Sequence, residues 1–272
     1  GVASNDLWSF DPATGAWTEV AVAGARPDIR FGHNAFYDRA KKRLVIALGQ
    51  ADGSTFFDDV WAFDAATASW SELGAGSSDK PEVRYGAGGA HDEASNRLIV
   101  SHGFTDQGRF DDSWTFDLTA DRWTKLKTSG DVPVKRCLTR CVWRPSAKSM
   151  LLYGGQTDDN PFLGDVWSLD DAAAKWTEQQ PTPSPGARNL YGASLDAAGA
   201  RWYVTGGNTP DGPASDTWVY AMAMGTWTKL EAATPPPARY SSDAAIAGST
   251  LYIFGGHDGS AEIADTWAAD LG

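Results

Sequence analysis

Cysteine is almost missing from this chain, with Cys137 and Cys141 the whole supply. Two cysteines exclude a disulfide scaffold. Four residues apart on one extended strand, rising about 3.3 Å per residue, they are also too distant to bridge each other. Both read as inert thiols. Histidine is scarce too, at His33, His91, His102 and His257, with none of the close spacing a metal site uses. No apolar run reaches the roughly 18 residues that a membrane helix needs, and no signal-peptide pattern is visible. No Asn-x-Ser/Thr acceptor exists, since Asn208-Thr209 runs into Pro210. Scarce cysteine and the missing acceptor lean towards a reducing, intracellular compartment. Positive charge is in deficit as well, with 23 Lys and Arg against 35 Asp and Glu. That balance argues against nucleic acid and anionic membrane as partners and favours solubility.

Tryptophan, by contrast, is abundant at 13 residues, and 29 Gly and 14 Pro are scattered through the chain. Such a composition suits many short strands joined by turns. The tryptophans are periodic. Asp-x-Trp occurs at Asp6–Trp8, Asp59–Trp61, Asp112–Trp114, Asp165–Trp167, Asp216–Trp218 and Asp265–Trp267. A second tryptophan follows the first five, at Trp17, Trp70, Trp123, Trp176 and Trp227. An arginine keeps the same step, at Arg30, Arg84, Arg136, Arg188 and Arg239, as does an apolar run ending in Gly154-Gly155, Gly206-Gly207 or Gly255-Gly256. Leu48-Gly49 and His102-Gly103 keep only the second glycine.

A repeat of about fifty residues is the unit of a radial or stacked architecture. Each copy divides into four extended segments. The innermost is rich in small residues such as Ala35 or Gly192 and Ala193. Next comes a continuous apolar run such as 44–48, as expected of a strand covered on both faces. The third carries the Asp-x-Trp tryptophan, and a turn such as Asp11-Pro12-Ala13-Thr14-Gly15 leads to the fourth. The tryptophans read as structural, each able to bury on the order of 200 Å². Trp143 and Trp202, outside the phase, are expected to fill space between sheets.

The order arginine, apolar run, Gly-Gly, Asp-x-Trp, spaced tryptophan closely resembles the kelch repeat, and the resemblance covers nearly the whole chain. It implies an all-β fold, a β-propeller of four-stranded antiparallel blades. Six Asp-x-Trp motifs but five copies of every other mark leave two counts. Six blades, the first and last incomplete, is the favoured reading, since six is common among kelch propellers. Five is the alternative, with one Asp-x-Trp strand to spare. The chain reads as one propeller domain over 1–272 that starts in mid-blade and belongs to a longer protein.

Loops after the glycine pair open on the same face as the loops leading into each arginine, and loops on a repeat scaffold carry function. The residue after the pair is Gln50, Phe104, Gln156, Asn208 or His257. Gln50, Gln156, Asn208 and His257, with Arg30, Arg84, Arg136, Arg188 and Arg239, form the candidate binding set. Arginine grips carboxylates bidentately, and kelch adaptors that hold acidic peptides on this face strengthen that expectation. The competing reading is that each arginine pairs with an aspartate of an Asp-x-Trp motif or with loop carbonyls. Phe56, Phe57, Phe110 and Phe162 could anchor a partner or cap the blade beneath. Asp52, Asp106, Asp158 and Asp211 read as loop-tip solvation.

A catalytic reading finds little. There is no Gly-x-Ser-x-Gly elbow or phosphate loop. The iron motif and the copper-oxidase ligands of some kelch enzymes are missing. His257 is the one acid–base candidate. The expected function is a protein-binding module for a peptide or protein, with an acidic segment as the candidate ligand and no cofactor or metal. A carbohydrate-active or isomerising kelch enzyme, or an architectural subunit of a larger assembly, are the alternatives.

Overall fold

Short strands and tight turns account for almost all of the regular structure. The computed structural model describes residues 4–51 and 53–272. Its one helical segment is the single 3₁₀ turn Pro145–Ala147. The chain divides into two units, Gly1–Lys127 and Thr128–Gly272.

The first unit opens with a hairpin, Trp8–Asp11 against Ala16–Glu19. Two four-stranded antiparallel blades follow. Blade one runs Asn34–Asp38, Arg43–Ala47, Val60–Asp64, Ser69–Leu73, each strand paired with the next. Blade two repeats the order with Gly88–Asp92, Arg97–Ser101, Ser113–Asp117 and Arg122–Leu126. In the second unit, blade three comprises Arg140–Arg144, Ser149–Gly155, Leu163–Asp170 and Lys175–Gln179. Blade four comprises Gly192–Leu195, Arg201–Thr205, Thr217–Ala221 and Thr226–Leu230. Blade five has three strands, Asp243–Ala247, Thr250–Phe254 and Thr266–Asp270.

The blade count is therefore five, the lower of the two readings, rather than six. The hairpin Trp8–Glu19 forms a two-stranded sheet of its own. The Asp-x-Trp strand that the repeat count leaves over is the one at Trp8, the first strand of that hairpin, while the other five are the third strands of the five blades. A cleft of about 740 Å³ lies between blades four and five, lined by Leu230 of the one and Leu251, Ile253 and Trp267 of the other.

The second strand of each blade is apolar because it is covered on both faces. Val45, Ala47 and Val60 of blade one pack in one cluster with Leu98, Val100 and Phe116 of blade two. Leu151, Tyr153 and Val166 of blade three pack with Trp202, Val204 and Trp227 of blade four. Trp143 and Trp202 are both buried, and Trp202 packs in the cluster shared by blades three and four. The second tryptophan of a pair lies opposite the residue two past the first, and the rings meet at 5.2 Å for Phe63 and Trp70 and at 5.0 Å for Phe116 and Trp123. Such tilted contacts suit the aromatic quadrupole. The N-terminal hairpin keeps the contact, with Phe10 and Trp17 at 5.0 Å, but leaves Trp8 and Trp17 exposed at 47% and 39%.

Backbone bonds stitch neighbouring blades at the glycine corner. The Gly49 N–H donates to the Arg84 carbonyl at 2.9 Å, Gly155 to Arg188 at 3.0 Å and Gly207 to Arg239 at 2.8 Å. The glycine here has φ near 105°, where a side chain is strained. The repeating arginine is thus fixed by its own carbonyl before its side chain is considered.

Candidate functional site

Each recurring arginine stands four residues ahead of its innermost strand, not at the start of it, and its side chain turns into the fold. Its Nη1 donates to the Asp-x-Trp aspartate of the same blade: Arg30 to Asp59 at 2.5 Å, Arg84 to Asp112 at 2.5 Å, Arg136 to Asp165 at 2.6 Å, Arg188 to Asp216 at 2.7 Å and Arg239 to Asp265 at 2.5 Å. Nη2 reaches the second carboxylate oxygen, at 2.7 Å for Arg136 and Asp165. Nη1 also donates to the carbonyl of the first residue of the glycine pair or its substitute: Leu48, His102, Gly154, Gly206 and Gly255. The indole of the tryptophan two residues on donates to the same carboxylate, at 2.6 Å for Trp167 and Asp165.

The five arginines are buried, Arg84 and Arg136 completely. A buried charge must be paired and hydrogen-bonded, and here a fork-to-fork pair, a carbonyl and an indole meet that demand. Of the two roles open to Arg30, Arg84, Arg136, Arg188 and Arg239, the structure places all five in the internal one. Their guanidinium groups face aspartate and backbone, so a ligand-gripping arginine ring is not formed. Burial alone would raise the Asp112, Asp165 and Asp216 carboxyls. The arginine bond and charge, with the indole donor, outweigh it and hold all three below the usual carboxylate range. The Arg239 bond does the same for Asp265.

A proline three residues before each arginine, at Pro27, Pro81, Pro133, Pro185 and Pro236, belongs to the same construction and escapes the motif list above. It presets an extended approach, and the next carbonyls turn onto the arginine: Nε donates to Asp28, Glu82, Val134 and Pro237 in four repeats. In the other, Arg188 Nη2 donates to Pro185. The fixed Pro-x-x-Arg spacing was the available signal. Two phenylalanines complete the enclosure. Phe57 lies over the Arg30 guanidinium and Phe110 over that of Arg84, both at 4.1 Å. They cap the arginines rather than project as anchors.

The residues after the glycine pair lie differently. Each forms a short antiparallel bridge with the residue after the arginine: Gln50 with Phe31, Phe104 with Tyr85, Gln156 with Cys137, Asn208 with Asn189 and His257 with Tyr240. All five are half-buried. The Gln50 side-chain amide donates to the Gly53 carbonyl at 2.6 Å. Gln156 Oε1 accepts from Asn189 at 3.1 Å. His257 accepts from the Gly259 N–H at 2.9 Å through Nδ1 and stacks on Tyr240 at 5.2 Å between centroids. Within the second unit Gln156, Asn189 and Asn208 therefore form one polar neighbourhood. Asn189 carries no mark in the repeat pattern, because the residue after the arginine is not the same from copy to copy.

In the first unit the same positions hold Phe31, Tyr85 and Phe104, with Gln50 as the polar member. Phe31 and Tyr85 lie 5.8 Å apart, Tyr85 and Phe104 5.6 Å, and Phe56 meets Tyr85 at 6.1 Å and Phe104 at 6.3 Å. Arg109 lies over the Phe104 ring at 5.2 Å. Phe31 is 45% exposed. Asp106, Asp158 and Asp211 are exposed at loop tips, and Asp52 lies outside the described residues.

Cys137 lies at the bridge with Gln156 and Cys141 within the first strand of blade three. Burial pushes the Cys141 thiol well up, out of the reactive range. Among the described residues no three His, Cys, Asp or Glu side chains gather as a metal site. No helix among the described residues is long and apolar enough to cross a membrane.

Comparison with known families decides the lineage. The KLHDC2/KLHL20/DRC7 Kelch-repeats domain matches residues 1–184 and 122–272, which together cover the chain. The chain belongs to the kelch-repeat family. The all-β blades, the Gly-Gly corners and the Asp-x-Trp strands are the kelch propeller repeat. Curated relatives are distant. Putative protein tag-53 of Caenorhabditis elegans is 21% identical over 97% of this kelch chain and 21% of its own length. Acyl-CoA-binding domain-containing protein 5 of Arabidopsis thaliana is 24% identical over 89% of the chain and 38% of its own length. The leucine-zipper-like transcriptional regulator 1 homolog of Drosophila melanogaster is 23% identical over 97% of the chain and 28% of its own length. The kelch chain thus spans well under half of each of these relatives.

Proposed function

We propose that this chain is a protein-recognition module that holds a peptide or protein segment on the loops after its glycine pairs. One observation carries the reading. The bridge between the residue after the arginine and the residue after the glycine is the same in all five repeats, while the side chains on it change from Phe31 and Gln50 to Asn189 and Asn208 to Tyr240 and His257. A constant backbone with variable, half-exposed side chains is how a repeat scaffold separates stability from recognition. Gln50, Gln156, Asn208 and His257 belong to that variable layer. The arginines act beneath it, as the layer that positions the loops.

The test is selection of a random 12-residue peptide display library on the intact chain, followed by affinity measurement on two triple variants. One carries Phe31→Ser, Phe56→Ser and Phe104→Ser. The other carries Gln156→Ala, Asn208→Ala and His257→Ala. Recovered peptides should lose at least about tenfold in affinity on one of these sets. Failure to recover any peptide, or equal affinity for the parent and both variants, would refute the recognition reading.

A further inference from the structure

We infer that the first unit supplies the contact floor of this site, and that its ligand is a basic peptide segment with an apolar residue beside its cations. The inference rests on the recognition reading and names the chemistry of the partner.

The acidic-ligand expectation depended on arginines that face outward. With Arg30 and Arg84 closed onto Asp59 and Asp112, their positive charge is neutralised inside the blade. The charges left on the loops around the aromatic floor are mainly of the opposite sign, with Asp28, Glu82, Asp106 and Asp111 exposed against Arg26 and Arg109. Asp106 sits two residues past Phe104 at the tip of the hairpin formed by Phe104–Thr105 and Gly108–Arg109, and it is exposed. Asp111 is exposed beside Phe110, the ring that covers Arg84. Asp28 and Glu82 are exposed two residues ahead of Arg30 and Arg84. Lys80 is bound to Asp58 at 2.8 Å, so that pair adds no net charge. Arg109 is the cation on the floor itself, and with Arg26 it leaves the four exposed acids in excess.

Between these acids lie Phe31, Phe56, Tyr85 and Phe104, ring against ring, with Phe31 nearly half exposed. Aromatic faces attract cations through the ring quadrupole, guanidinium most often. The unit already uses this pairing, with Arg30 on Phe57, Arg84 on Phe110, Arg109 on Phe104 and Lys125 on Trp114. A floor of rings rimmed by carboxylates is complementary to a segment in which arginine or lysine flanks an apolar side chain. The apolar residue packs on exposed ring surface such as that of Phe31. The cations meet ring faces and the acidic rim, which raises the association rate and makes it depend on salt.

The same 12-residue display selection on the intact chain tests this. Recovered peptides should carry net positive charge and at least one aromatic or large aliphatic residue. Replacing their Arg and Lys by Glu should abolish measurable binding. Phe31→Ser with Phe104→Ser should weaken them at least about tenfold. Asp106→Lys with Asp111→Lys, which leaves the rings in place, should weaken them about threefold to tenfold and reduce their salt dependence. Thermal unfolding of each variant controls for folding, and the aspartate pair gives a readout free of any effect on packing. Acidic peptides recovered, or basic peptides that respond only to Gln156→Ala, Asn208→Ala and His257→Ala, would overturn the inference while leaving the recognition reading intact. No recovered peptide would overturn both.

Discussion

The two units share one buried construction and present different surfaces. In both, a proline-led arginine closes on the Asp-x-Trp carboxylate and the carbonyl at the glycine corner. Above that layer, the first unit sets Phe31, Phe56, Tyr85 and Phe104 in ring contact. The second sets Gln156 against Asn189, and His257 on Tyr240. The corners differ as well. Leu48 and His102 hold φ near 65°, with Gly32 and Gly86 two residues past the arginine. The second unit reverses the assignment, with Gly154, Gly206 and Gly255 in the pair and Leu138, Leu190 and Ser241 past the arginine. The left-handed conformation belongs to the backbone path, and which of its two sites takes the glycine is set locally. Gly32 leaves room for the Tyr85 ring, which would lie 2.6 Å from an added Cβ, and Gly154 for the Arg188 carbonyl, also at 2.6 Å.

The largest effect should be common to both units. Removing one partner of the buried pair, by Arg136→Met or Arg84→Met, leaves a carboxylate without its cation and should lower unfolding free energy by about 3–5 kcal/mol. Urea denaturation should report similar losses for the two. A loss confined to one unit would break the claim of a shared construction.

Gly154→Ala should follow. It places a side chain at positive φ against the Arg188 carbonyl and should cost about 2 kcal/mol by the same measurement. The left-handed site in the first unit already carries Leu48, so Leu48→Ala retains a side chain there and tests cavity formation instead.

Acid should weaken the arginine layer. The folded-state values of Asp112, Asp165, Asp216 and Asp265 lie below the ordinary value. Their stabilisation is therefore complete above about pH 4, the unfolded aspartate value, and is lost as pH falls through the lowered folded values. Urea midpoints measured from pH 6 down to pH 2 should stay flat to about 4 and then drop.

The smallest stability change should come from the surface that distinguishes the units. Phe31→Ser and Gln156→Ala should each alter stability within about 0.5 kcal/mol. Larger changes would mean that the variable layer also holds the fold.

Much of this was legible in the sequence. Periodic Asp-x-Trp motifs and the apolar run before each glycine pair identify the blades, because strand burial on both faces leaves a continuous hydrophobic stretch. The role of Arg136 was not decided by its recurrence, since a structural pair and a ligand ring demand the same spacing. Only the 2.6 Å contact with Asp165 and complete burial separate them. Pro133, three residues ahead, was readable and pointed inward. The blade count turned on where the hairpin Trp8–Glu19 pairs, and it forms a two-stranded sheet of its own, a choice that motif counting does not contain. Phe31 and Asn189 carry no periodic signal, because the side chain after the arginine changes between copies while the backbone beneath it repeats.

A double-mutant cycle between Arg136 and Asp165, built from Arg136→Met, Asp165→Asn and the pair together, tests the central claim most directly. The account predicts that each single change is strongly destabilising and that the double is far less harmful than their sum, with a coupling of about 2 kcal/mol or more. Additive losses near zero, together with weakened capture of a selected peptide by Arg136→Met, would show an arginine that serves the ligand and not the blade.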